Sequence, residues 1–341
     1  MKIMLKPLIF SLLFIVIFTS CKNNNDGPDV SSVKINLTTK RFEKDFFAID
    51  TNNIIPQINK LAAEYPRFSD NFLTTILGID SKWPPDTTAY YLKGFIAYNR
   101  NVYDSAEKIF TDFSPYEKDI KKGLQHVKYY FPAYKIPNNI ITYIGPADGY
   151  GDILDENVLI VGLHAHLGKD FPLYKTSAVA ETYPQYITER FTPEYIVVNC
   201  MKNIVLDLYP ENTEDKRLII QMIEKGKRLH LLQQFLPSTD EYKLIGYTAG
   251  QMKDSYAHEA IIWDLFVQNN ILQVADNNLI KNYVSEGPKT QELGENAPGN
   301  IGSFAGWQIV KKYLKKKAGV TPAILMQTDP EKIYQEAKYK P

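Results

Sequence analysis

The chain has 341 residues, 44% hydrophobic and 23% charged, with 39 basic side chains against 39 acidic ones. That is the profile of a folded protein with a core large enough to stand without staples. Zero net charge leaves no basic face for phosphates, which excludes a nucleic-acid binder and a polybasic membrane-surface protein, and two cysteines exclude a disulfide scaffold or a cysteine-rich zinc site.

The N-terminus has its own pattern. Lys2 and Lys6 precede an apolar run from Leu8 to Phe18, too short for a transmembrane helix and matching the core of a signal peptide. It ends in Phe18-Thr-Ser-Cys21, which resembles a bacterial lipoprotein signal in which the cysteine is acylated. Residues 1–20 are therefore read as signal peptide, Cys21 as the lipid attachment point, and residues 21–35 as a polar, flexible tether. The body, residues 36–341, then sits outside the cytoplasm as a single domain. Cys200 is left as the one thiol, in the apolar stretch Tyr195-Ile-Val-Val-Asn-Cys-Met, and reads as a buried structural residue.

In chain order, helical spacing appears at Ile54, Ile58, Leu61 and Ala62, then over Val102–Phe110 and Ile120–Tyr130. Pro132 and Pro137 interrupt it. Two β-branched runs follow, 139–144 and 157–161, joined by the glycine-rich segment Gly145-Pro-Ala-Asp-Gly-Tyr-Gly-Asp152. They predict two strands and a turn. Pro193 opens a helix to Leu208. Further helices are predicted over Glu211–Lys227, Gln251–Gln268 and Ser303–Lys316, the last capped by Ser303. The fold class is α+β, mostly helical with a small sheet.

The candidate chemistry is sparse. His164 and His166 follow a strand, and in an extended segment residues two apart face one side, so both imidazoles are candidate metal ligands, with Asp170 a possible third. The bland alternative is a hydrogen-bonded pair. His258-Glu259 lacks the second histidine of a His-Glu-x-x-His zinc helix, because Ile262 stands there. Ser303, between Gly302 and Gly306, lacks the glycine spacing of a nucleophile elbow. Asp148, Asp152, Asp155 and Glu156 lack calcium-loop spacing and read as a solvated hairpin. The 23 tyrosines suit either core packing or a peptide or glycan groove.

Read together, several segments resemble the gliding-motility lipoprotein GldB family of Bacteroidota. They are Arg41-Phe-Glu-Lys-Asp-Phe-Phe-Ala-Ile-Asp50, Tyr65-Pro-Arg-Phe68, Phe131-Pro-Ala-Tyr134, Ile140-Ile-Thr-Tyr-Ile-Gly145 and Leu167-Gly-Lys-Asp-Phe-Pro-Leu-Tyr174. The most specific is Pro298-Gly-Asn-Ile-Gly302 followed by Gly306-Trp307-Gln-Ile-Val310 and Tyr313. The resemblance implies a zincin-like architecture related to predicted zinc peptidases. It also implies loss of their metal, since the 193–208 helix carries no histidine. The expected function is thus a non-catalytic envelope lipoprotein with no cofactor, supporting gliding and the associated type IX secretion. Its partners would be a membrane, expected to be the outer one, and envelope proteins of that machinery. Pro298, Gly299, Gly302, Gly306 and Trp307 are the candidate partner surface. The alternatives are a metal-dependent hydrolase using His164 and His166, or a surface lipoprotein binding peptide or glycan.

Overall fold

Two apolar runs build the sheet. Asn139–Tyr143 (β2) and Val158–Gly162 (β4) are buried over their last four residues, the pattern of strands covered on both faces. In the computed structural model, which describes residues 27–341, they are neighbours in a four-stranded sheet of order β1-β2-β4-β3. Thr38–Arg41 (β1) pairs parallel with β2, β2 pairs parallel with β4, and Ile153–Asp155 (β3) closes the far edge antiparallel to β4. The signal peptide, Cys21 and the first residues of the tether lie outside the described residues.

This topology corrects the expected turn between the two runs. Parallel neighbours need a crossover. The segment after β2 passes to the sheet edge, descends as β3, turns at Glu156 in the left-handed region (φ 46°) and returns as β4. The glycine-rich segment therefore lies over the same end of the sheet at which β4 terminates.

Helices cover the sheet. Phe42–Phe47 follows β1 directly, and its Phe42 ring packs edge-on against Phe68 and Phe72, each at 4.8 Å between centroids. Arg41 and the Thr142 hydroxyl both donate to the buried Glu43 carboxylate, Thr142 at 2.6 Å. That satisfies a carboxylate which burial pushes toward the neutral form. The Arg41-to-Asp50 motif is thus a packing motif. Val30 and Ile35 are buried as well, so the chain is docked on the body from residue 30, earlier than the expected start at 36.

The C-terminal half is built on two crossing helices, Leu218–Phe235 and Ile301–Lys316. They meet at glycines. A Cβ on Gly226 would lie 2.4 Å from the Gly306 carbonyl, and one on Gly306 would lie 1.8 Å from the Met222 oxygen. Trp307 is fully buried beside this crossing, with the Lys311 ammonium 4.1 Å over its ring. Gly302, Gly306 and Trp307 therefore form an internal helix contact and not a partner surface.

Three of the expected helices also have other bounds than expected. The Glu211 start is replaced by Leu218, because Arg228 and Lys225 hold residues 209–211 as a loop through Tyr209 O, Pro210 O and the Glu211 carboxylate. The helix runs on to Phe235 because Leu231, Leu232 and Phe235 keep burying its face. Gln251–Gln268 divides at His258 into Ala249–Ala257, capped by a reciprocal Thr248–Gln251 pair, and Glu259–Gln268. Ser303 is no cap: the last helix starts at Ile301, after Asn300 in the left-handed region (φ 58°), and Ser303 is an interior residue.

The crossing yields a paired prediction. Gly306→Ala should destabilise the protein by more than about 3 kcal/mol in urea denaturation, because backbone has to move. Gly94→Ala, at an exposed position of the helix Pro85–Tyr98 with open space at its Cβ, should be neutral or stabilising by up to about 1 kcal/mol.

Candidate functional site

The end of the sheet gathers the residues that the sequence put forward. Gly162 closes β4, and the chain enters a 3₁₀ turn, Leu163–Ala165, instead of staying extended. The His164 and His166 side chains consequently take different partners. The Gly145 N–H donates to His164 Nδ1 (3.1 Å), so Nε2 carries the proton and donates to the Tyr150 carbonyl (3.0 Å). His166 faces two acceptors: Nδ1 donates to the Thr192 carbonyl (3.1 Å) and Nε2 to the Asp152 carboxylate (2.8 Å).

Asp152 is the hub, and its side chain is 3% exposed. The Asn199 amide donates to Oδ2 at 2.9 Å and the Gly162 N–H to Oδ1 at 3.1 Å, while the Asn203 amide donates to the Asp152 carbonyl at 3.1 Å. Asn199 and Asn203 are one turn apart on the helix Ile196–Leu208, so both point at the sheet. The glycine-rich segment is tied down in the same way: the Tyr143 hydroxyl donates to the carbonyls of Tyr150 and Gly151, and the Tyr183 hydroxyl to that of Gly149. Asp152 is thus the opposite of a solvated loop residue. Asp155 stays at the β3–β4 hairpin, where it pairs with Arg67 at 2.7 Å.

The electrostatics follow from these contacts. Burial drives the His164 pKa down to about 4, against the weaker pull of the Tyr150 carbonyl and Asp152. Burial also opposes charge on His166, but the Asp152 carboxylate and the Thr192 carbonyl outweigh it and raise that pKa. The result is a neutral His164 beside a buried imidazolium–carboxylate pair. A metal ion needs an imidazole lone pair. The lone pair of His164 is occupied by the Gly145 N–H, and both nitrogens of His166 are donors.

The other candidates do not join the cluster. Asp170 is at the surface, paired with Lys169 (3.1 Å) and Lys175 (3.4 Å). Glu259 accepts from the Tyr339 hydroxyl, and His258 Nδ1 donates to the Asp254 carbonyl. Cys200 is buried, and burial pushes its thiol well above the usual range. Among the described residues no group of three His, Cys, Asp or Glu side chains is placed to hold a metal.

Pro298–Ile301 has a different setting. Thr290 Oγ1 donates to the Pro298 carbonyl (2.7 Å), and a Cβ on Gly299 would meet the Gly287 oxygen at 2.2 Å, so the loop is pressed onto residues 287–290. Three cavities open around it. One of about 450 Å³ is walled by Pro298, Gly299 and Asn300 with Arg190 and Glu286. A second of about 340 Å³ has Pro298, Ile301 and Ser255 in its wall, and a third of about 230 Å³ has Asn300 and Ser303. Arg190 and Glu286 form a two-pronged ion pair, Nη1 to Oε1 at 2.9 Å. Sequence reasoning took Asp152 for a solvated hairpin residue and missed Asn199, Asn203 and Arg190. The one legible signal was the Asn199/Asn203 pair, two amides at helical spacing on a largely apolar helix.

Two tests follow. Asp152→Asn leaves His166 without its counter-ion and should cost about 3–5 kcal/mol in urea denaturation. His164 is neutral when folded, so its contribution is full above its ordinary value of 6.5 and is lost as pH falls toward about 4, a loss of about 3 kcal/mol. His166 works in the opposite sense, contributing below the ordinary value and losing that contribution as pH rises through its raised pKa. Ring ¹⁵N spectra at neutral pH should show His164 as the Nε2–H tautomer and His166 with both nitrogens protonated.

No curated protein and no solved structure matches the chain. A protein family does, over residues 23–341, nearly the whole chain and all of the site just described. The chain therefore belongs to the family described as gliding motility protein GldB.

Proposed function

We propose that the protein is a non-catalytic lipoprotein of the cell envelope, anchored through Cys21, that supports gliding and the associated type IX secretion by holding another envelope component. The observation that carries this reading is saturation. Each ring nitrogen of His164 and His166 has a protein partner, and the Asp152 carboxylate takes three donors. Such a cluster fixes a loop on a sheet and leaves no free base, nucleophile or ligand. The zincin-like descent suggested by the sequence agrees with this, with Asn199 and Asn203 standing one turn apart on the helix under the sheet.

Attachment to a membrane is proposed from Cys21. Among the described residues no helix is long and apolar enough to cross one. The chain is docked on the body from Val30, so about nine residues separate the anchor from the fold, a reach of at most about 30 Å. The body is then held close to the lipid surface. A second reading, binding of a peptide segment, is favoured by the cavities around Pro298–Asn300.

The test is complementation of a deletion strain with colony spreading and secretion as readouts. Cys21→Ser should release the protein from the membrane fraction and abolish complementation. Elemental analysis of the purified protein should find only sub-stoichiometric metal. One transition metal per chain, lost in a His164→Gln variant that still folds, would restore the hydrolase reading.

A further inference from the structure

We propose that the cavity between the helices Ile196–Leu208 and Leu218–Phe235 receives the carboxy terminus of a partner polypeptide ending in an aliphatic residue. This gives a partner chemistry to the holding role above and rests on that role only for its biological meaning.

The charges around the cavity come first. Lys225 is taken by Glu211 (2.7 Å), Arg190 by Glu286 (2.9 Å), and Arg228 by Glu224 (3.0 Å) and the carbonyls of residues 209 and 210. Lys202 lines the same cavity and, among the described residues, its ammonium has no ion-pair partner. Burial, with help from Arg190, lowers its pKa to about 8, against the pull of Glu286. A half-buried cation left over after its neighbours have paired is an anion site.

The second observation is independent of charge. Ser303 is 1% exposed and lines the cavity, and its Oγ has no hydrogen-bond partner. The Asn300 Oδ1, in the wall shared with the larger cavity, is likewise buried and unpartnered. Buried polar atoms without partners are costly. Asn300 Oδ1 can only accept, so the ligand must bring an N–H or O–H as well as an anion. Beyond these groups and the already paired Glu211, Lys225, Arg228 and Glu286, the wall is aliphatic: Val205, Leu206, Leu229, Leu232, Leu244 and Val284.

One ligand class carries all three features. A terminal carboxylate meets Lys202 and the Ser303 hydroxyl, the amide N–H of the last residue meets Asn300, and its aliphatic side chain fills the 230 Å³ space. Preceding residues continue into the 450 Å³ cavity, which shares Ile245, Glu286 and Asn300 with the smaller one. A fatty acid lacks the N–H, and inorganic phosphate makes no use of the aliphatic wall.

The experiment titrates the purified full chain with a fluorescein-labelled hexapeptide ending in Val-Leu, as free acid and as carboxamide, with sodium octanoate as competitor. The free acid should bind, the carboxamide about tenfold or more weakly, and Lys202→Met should lower free-acid affinity by a similar factor. Asn300→Gly keeps the left-handed backbone and should weaken binding of the peptide but not of octanoate. Equal affinity for acid and carboxamide overturns the proposal, as does octanoate binding as tightly as the peptide. That comparison uses the unmodified protein, so it decides the matter however the variants fold. It also reads the cavity alone, whereas complementation reads the holding role.

Discussion

The contact between Gly226 and Gly306 sets the geometry of the C-terminal half. Two helix backbones approach so closely that neither position has room for a methyl group. Close-packed interiors do not stretch to accommodate one. The crossing fixes where the helix Ile301–Lys316 begins, and so where the Pro298–Asn300 loop must lie. It also presents the outer face of Leu218–Phe235 to Ile196–Leu208, which in turn packs under β3 and β4. The aliphatic cavity and the polar cluster are thus on two sides of one helix, Ile196–Leu208. Lys202 faces the cavity, while Asn199 and Asn203 face the sheet.

The polar cluster performs a task that an apolar core could not. A crossover over the end of a small sheet leaves backbone carbonyls at Gly149, Tyr150 and Gly151 that need donors. Tyr143, His164 and Tyr183 supply them. Asp152 and His166 add a charge pair whose members are each hydrogen-bonded further, the condition under which buried charge is tolerated. The arrangement uses the residue types of a metal site, with hydrogen bonds in the positions where a metal would need lone pairs.

Much of this was legible in the chain. The β-branched runs announced β2 and β4, helical spacing announced several of the longer helices, and the ordered motifs announced the family that the match over residues 23–341 shows. Where reading failed, a competing contact won. The late start at Leu218 is set by neighbouring side chains, not by local propensity. Ser303 looked like a cap because its type prefers caps, but the crossing draws it inside the helix. β3 is three residues long and gave no periodic signal.

By itself the sequence determined the composition class, the lipoprotein-like start, the mixture of helices with a small sheet, and the family. Those depend on local pattern, on residue type, or on the order of motifs, all of which lie along the chain. Only the tertiary structure decided that Asp152, His166 and Asn199 meet, that Gly306 and Trp307 are interior, and that Lys202, Ser303 and Asn300 share one cavity. Asp152 lies 14 positions from His166 and 47 from Asn199, and Lys202 lies about 100 from Asn300 and Ser303. Their meeting is fixed by close packing and by the need of each buried polar atom for a partner, and neither acts along the chain.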